Sequence, residues 1–246
     1  MDLRVFQYNV GGVFSSFGWP YQVKSLAKLT TTTILKDLAN GSAPIIKLKA
    51  AFVDDRAQLH CDKWIEETAI HMSLYSAAQE FLNKPKLSVT ASTGGLPSAL
   101  KRLLLRYKAF SGDVSGVIGE AIFSSLLVQH YGLTDTDFAH FRADKLSGIF
   151  PDFGIFRLSI SLENSLIWNG TPLRTSGPGI PAEVKTVSFA TTGDIRAKLR
   201  RAIEQVQNFW IRVNSGGFQN DEAAIICLVI RNQQRAAYDV ALIWAR

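Results

Sequence analysis

The sequence predicts a mixed α/β fold, a central sheet flanked by helices. Three observations carry this. Hydrophobic residues make up 47% of the 246 positions and charged residues 20%, which supplies a packed core and argues against global disorder. Residues 56–82, 113–131 and about 194–213 place apolar side chains at helical spacing. Short β-prone runs bounded by Gly, Pro or Asn lie around and between them. From residue 113 the order is helix, strand, strand, strand, helix, strand, strand, a mixed α/β pattern.

In chain order, residues 3–10 and 45–53 (IIKLKAAFV) read as strands, with a Thr30–Thr33 run between them. Residues 56–82 read as one long helix carrying Leu59, Trp64, Ile65, Ile70, Met72, Leu74, Tyr75 and Phe81. KPKLSVTASTGGLPS breaks it, with strand character at 87–90, and 97–109 is helical and basic. The helix 113–131 is mostly apolar, with Asp113 or Ser115 as its cap and Gly132 as its stop. A Thr/Asp loop leads to strands within 148–162 and near 165–168. GIPAEVKTVSF follows as a strand, then the helix from about 194 to 213. Strands at 223–230 and 238–245 close the order. The expected division is an N-terminal basic lobe, 1–110, and a core, 111–246.

Charge is unevenly placed. The net charge is +6. Residues 1–110 hold 14 Lys/Arg against 8 Asp/Glu, whereas 111–246 hold 13 of each. Residues 81–112 carry Lys84, Lys86, Lys101, Arg102, Arg106 and Lys108 and no acid. A patch of one sign suits a polyanion such as nucleic acid, and equally a solvated face. No apolar run approaches the ~20 residues of a membrane span, and the N-terminus does not read as a signal peptide. Cys61 and Cys227 are isolated, so neither a disulfide framework nor a zinc site is expected, and a reduced cytoplasmic setting follows. Ser92-Thr93-Gly94-Gly95 lacks the ending of a phosphate loop. The histidines at 60, 71, 130 and 140 show no metal-ligand spacing, and His60 and His71 read as helix-surface residues.

The chemistry-bearing residues come in a fixed order. Pro151-Asp152 is the chain's one Pro-Asp, and Glu183-Val184-Lys185 its one acid-x-Lys. Glu183 and Lys185, two apart on a strand, project from one face. That pair reads either as a cross-strand ion pair or as a metal-ligating carboxylate beside a catalytic lysine. Glu120 is the lone acid within 114–131, and a lone carboxylate on an apolar helix is costly to bury without a partner or a metal.

With these residues the chain resembles the PD-(D/E)xK nuclease superfamily over roughly residues 113–246. The resemblance implies a restriction-endonuclease-like core and hydrolysis of phosphodiester bonds in nucleic acid, DNA more than RNA and internal more than terminal bonds. Asp152 and Glu183 would hold Mg²⁺, with Mn²⁺ able to substitute. The backbone carbonyl of Val184 would add a ligand, and Glu120 would serve as an outer or second-metal ligand. Lys185 would orient the nucleophile and stabilise the transition state. In the following helix Lys198, Arg201, Gln205, Asn208 and Arg212 share one face, and Leu199, Ala202, Ile203, Val206, Trp210 and Val213 the other. Gln205 followed by Phe209 is similar to the Gln-x-x-x-Tyr pattern of one branch, with Phe in place of Tyr. Lys198 and Arg201, together with Lys101, Arg102, Arg106 and Lys108, are the expected phosphate contacts. The alternatives are a nucleic-acid-binding module without cleavage and a subunit of a larger defence complex. The implied setting is restriction or anti-phage defence, with a second copy of the chain or a helicase-type protein as partner and no membrane.

Overall fold

The computed structural model describes residues 1–15, 19–57, 59–60, 111–140, 151–157, 159, 161–162, 167–168, 171–172, 179–188, 190–214, 218, 222–232 and 237–246. Their elements are β1 (Asp2–Val10), α1 (Trp19–Asn40), β2 (Ile45–Lys47), a helix α2 with residues 50–57 and 59–60, and α3 (Ser111–Gln129). There follow β3 (Phe138–His140), β4 (Phe153–Ile155), β5 (Ile167–Trp168), β6 (Thr171–Pro172), β7 (Ile180–Val187), α4 (Thr192–Val213), β8 (Ala224–Asn232) and β9 (Ala237–Ala245).

Seven strands form one mixed sheet in the order β2-β1-β9-β8-β7-β4-β3, and β5 and β6 pair separately. β8 is central and buried from Ala224 to Ile230, as expected for a strand covered on both faces. Its alternating side chains divide the core. Ile225, Cys227 and Val229 pack with Ile122, Phe123 and Leu126 of α3 and with Val53 and Ala57 of α2. Ile226, Leu228 and Ile230 pack with Leu199, Ile203 and Val206 of α4 and with Val23, Ala27 and Ile34 of α1. The result is a sheet between two helical layers, the arrangement the period-2 and period-3.6 patterns require.

The division at residue 110 does not describe the sheet. β1 runs parallel to β9 in an eight-residue register from Leu3↔Tyr238 to Val10↔Ala245. At Arg4↔Asp239 the register places a guanidinium fork on a carboxylate, Nε to Oδ1 and Nη2 to Oδ2, both 2.7 Å. The described N-terminal residues are therefore part of the core sheet and not an appended lobe. Residues 61–110, with the acid-free stretch to Phe110, lie outside the described residues.

Three local expectations change. Residues 45–53 hold only a three-residue strand, because the Lys49 carbonyl accepts from Phe52 N and Val53 N and turns the Ala-rich segment into α2. Of 148–162, the described strand is Phe153–Ile155; it ends where Phe156 N and Arg157 N turn to the Asp137 carbonyl. α1 spans the Thr run, for which no element was expected, although β-branched residues are weak helix formers. Thr31, Thr32 and Thr33 direct their hydroxyls to the carbonyls of Ala27, Lys28 and Leu29, an i−4 bond that keeps them within the helix.

Candidate functional site

β7 and β4 form a fork. They pair only through Ile155↔Ile180, Gly154↔Pro181 and Phe153↔Ala182, while β7 continues beside β8 from Ala182 to Val187. One residue past the last β4 pairing, side chains replace the backbone ladder. Asp152 N donates to Glu183 Oε2 at 3.1 Å, and Val184 N donates to Asp152 Oδ2 at 2.8 Å. The two carboxylates expected from the sequence thus meet at the mouth of the fork. The N–H and C=O of a strand residue lie along one edge, so the Val184 carbonyl, whose N–H meets Asp152, also lines this edge.

Lys185 reaches back along β7 and its Nζ contacts Glu183 Oε1. Glu183 is 0% exposed and Lys185 partly buried, so this is a buried pair and not the exposed surface pair considered from the sequence. Burial lowers the Lys185 pKa, reinforced by Arg201 and Lys198 and opposed by Asp152 and Glu120. Burial also pushes Asp152 up to about 6. Glu120 raises it further, and Lys185, the Val184 N–H and His140 act against the rise. Asp152, Glu120 and Lys185 therefore titrate as neighbours.

Glu120 comes from the opposite helical layer. Its approach is set by Gly119, where an added Cβ would collide with Thr186 Oγ1 and crowd Val184 Cγ1 at 3.2 Å. The missing side chain lets α3 lie against β7 beside the fork. The Glu120 carboxylate turns to two histidines, with Oε2 3.0 Å from His140 Nε2 and 3.8 Å from His60 Nδ1. Burial raises the Glu120 pKa, but the hydrogen bond and charge of His140, with His60 and Lys185, outweigh it and hold it below the ordinary carboxylate value. His60 corrects the sequence reading: it is 5% exposed, not a surface residue. Both histidines were missed because they stand 60 and 20 residues from Glu120, a separation no motif spacing encodes. The described signal is spatial: His60, Glu120 and His140 place one ligand atom each within 4.8 Å of one another.

α4 borders the fork from the other side. Thr191 caps it, its side chain accepting from Asp194 N. Lys198 and Arg201 both depress Lys185, which puts their charges near the fork. Ala197, Arg200, Arg201, Glu204, Gln205 and Asn208 line a cleft on this helix. Gln205 lines it while being only 7% exposed, and Val213, expected on the apolar face, is exposed at the helix end. Lys101, Arg102, Arg106 and Lys108 lie outside the described residues.

Compared with known protein families, curated proteins and solved structures, the chain matches none. No helix among the described residues is long and apolar enough to cross a membrane.

Proposed function

We propose that this protein is a metal-dependent phosphodiesterase of the PD-(D/E)xK type with a restriction-endonuclease-like core, acting on nucleic acid and on DNA in preference to RNA. The observation that carries the reading is the reciprocal Asp152–Glu183 arrangement at the β4–β7 fork with Lys185 against it. The donor set fits a hard divalent ion. Asp152, Glu183 and Glu120 offer carboxylate oxygens, and burial, with the charge of Glu120, raises the pKa of Asp152. Asp152, Glu183 and the Val184 carbonyl would hold Mg²⁺ or Mn²⁺, with Glu120 further out. Such an ion, when bound, acidifies a coordinated water and offsets charge on the phosphoryl oxygens.

The chain's own residues then divide the work. Lys185, its ammonium partly desolvated, orients the nucleophile and stabilises the charge that develops on phosphorus-bound oxygen. Lys198 and Arg201 face the same region and neutralise flanking phosphates. Gln205, in the cleft beside Arg201, is placed to hydrogen-bond the backbone of the bound strand. A second reading, binding without cleavage, draws on Glu183: one of its oxygens already meets Lys185 and the other Asp152 N.

Incubation with plasmid, linear duplex, single-stranded DNA and RNA in Mg²⁺, Mn²⁺, Ca²⁺ or EDTA tests both readings. Cleavage in Mg²⁺ or Mn²⁺ that stops in EDTA and in Asp152→Ala supports the first. Salt-sensitive binding with no cleavage in any metal supports the second and removes the first.

A further inference from the structure

The phosphodiesterase reading uses Glu120 as an outer carboxylate and gives no part to His60 or His140. These two rings nevertheless converge on Glu120 from separate elements, one from α2 and one from the end of β3. Both pack edge-on to Phe153, with centroids 5.8 Å and 5.0 Å away, and their own centroids lie 5.4 Å apart. Phe153 is 1% exposed and immediately follows Asp152. The rings are therefore held in place by the core and not by each other.

The Ser124 hydroxyl sets the tautomer of His60. Its Nε2 lies 3.3 Å from Ser124 Oγ, and that hydroxyl donates to the Ala121 carbonyl at 3.3 Å. With the Ser124 proton turned to Ala121, the Ser124 oxygen accepts from His60 and Nε2 carries the ring hydrogen; with it turned to His60, the tautomer reverses. In the first form Nδ1 holds the lone pair of the neutral ring, and Nδ1 is the atom that faces Glu120 Oε2 at 3.8 Å. The repulsion between that lone pair and the carboxylate is relieved by a cation between them, either a proton on Nδ1 or a metal ion. A second-layer hydroxyl that fixes the tautomer from behind is the arrangement metal-bound histidines use.

We propose that His60, Glu120 and His140 bind a divalent transition-metal ion of borderline softness, of the Zn²⁺ or Co²⁺ class, beside the Asp152–Glu183 pair. Two imidazoles and one carboxylate suit such ions, whereas Mg²⁺ selects oxygen donors. At metal–ligand distances near ~2.0–2.2 Å, neighbouring ligand atoms stand about 3–3.5 Å apart. The 3.0 Å separation at Glu120 Oε2 lies in that range, the 3.8 Å one just outside it, and the three ligand atoms lie within 4.8 Å of one another. Ser124 is a positioning residue, acting through His60. The site stands on these residues alone and does not require that the protein cleave nucleic acid.

The test is titration of the metal-free full chain with Co²⁺, read by its visible absorption and by the shift in melting temperature. One nitrogen-ligated ion per chain is expected, with bands that a modest excess of Zn²⁺ abolishes and Mg²⁺ does not. His60→Gln and His140→Gln should each weaken binding by more than the roughly 10–100-fold that an outer partner carries, and Ser124→Ala by about that amount. Zn²⁺ should also protect His140, but not His130, from diethyl pyrocarbonate in the wild-type chain, a readout that needs no variant to fold. Absence of saturable binding, equal competition by Mg²⁺, or Co²⁺ bands unchanged in both glutamine variants would overturn the proposal. Cleavage assays are separate: Mg²⁺-dependent cutting without histidine-dependent Co²⁺ binding sinks only this site, and the converse sinks only the phosphodiesterase reading.

Discussion

Asp152 and Glu183 each hold the other's backbone: the Glu183 side chain accepts from Asp152 N at 3.1 Å, and the Asp152 side chain accepts from the amide that follows Glu183 at 2.8 Å. This exchange occurs where the β4–β7 ladder ends. A buried Glu183 and a partly buried Asp152 are therefore fixed at a strand fork by the bonds that close the sheet, and little rotation is left to either. Preorganisation of this kind is what an electrostatic site needs.

The first prediction concerns pH. Burial and Glu120 raise Asp152 to about 6 from the ordinary carboxylate value of 3.8. A folded pKa above the unfolded one means the folded state holds the proton more tightly, so this group's contribution is favourable below about 4 and is lost as pH rises through about 6. Asp152→Asn keeps an acceptor for Val184 N and removes the charge. It should be more stable than wild type above pH 6, with the difference closing near pH 4. Denaturant melts of both proteins across that range, without metal, check it; a difference independent of pH contradicts it.

The second concerns Gly119. Any Cβ there meets Thr186 and Val184. Gly119→Ala should destabilise by about 1–3 kcal/mol, the usual cost of overpacking. Because Glu120 is the next residue, the same substitution should also alter metal affinity. A Gly119→Ala protein that melts like wild type would show that α3 can retreat from β7 freely.

The third concerns Glu120 itself. Its charge raises the Asp152 pKa, while burial raises its own pKa and His140 outweighs that and keeps it ionised. In metal-free Glu120→Gln, the Asp152 titration should move to lower pH, followed by its carboxyl ¹³C shift. An unmoved midpoint would place Glu120 too far from the fork to matter.

Legibility from sequence followed the range of the physics. β8 and β9 are long apolar runs and α4 has a strong amphipathic period, so their positions were readable to within a residue or two. Asp152, Glu183 and Lys185 were readable because alternation along β7 and the Pro-Asp and Glu-x-Lys order are local. The sheet order was not. β1 joins β9 across more than 230 residues, and nothing in residues 2–10 names that partner. The same limit hid His60 and His140, brought to Glu120 only by tertiary packing. Gln205 was legible as a residue of α4 but not as a buried one, because an amide beside the fork breaks the amphipathic rule.

The fourth prediction concerns α4. Lys198 and Arg201 depress Lys185, so they stand on its side of the fork. Lys198→Ala/Arg201→Ala should weaken binding to duplex DNA and make log K against log salt shallower by about 1.8, at roughly 0.9 per phosphate contact. It should also raise the pKa of Lys185. Unchanged salt dependence would turn this face away from nucleic acid.

The fifth decides what Lys185 is for. Its Nζ contacts Glu183, which is fully buried, so the pair has a structural consequence whatever its chemistry. Lys185→Ala leaves a buried carboxylate without its cation, a loss on the order of 3–5 kcal/mol. If Lys185 also stabilises the transition state, the rate falls by about 10²–10³. Both readings thus expect a damaged single variant, and Lys185→Ala alone cannot separate them. Lys185→Met with Glu183→Gln removes both charges together and leaves neither unpaired, so it separates a purely structural pair from a working one; it also removes the Glu183 ligand, so the part of Lys185 alone is read from Lys185→Arg. This double variant should recover most of the lost stability and remain unable to cleave. Lys185→Arg should keep the charge and fail to restore the rate, since a planar fork does not put one compact ammonium where Nζ sits. Melting temperature and cleavage rate measured on all three variants give the answer. A double variant that is stable and cuts at the wild-type rate would reduce Glu183 and Lys185 to an ion pair that merely closes the fork.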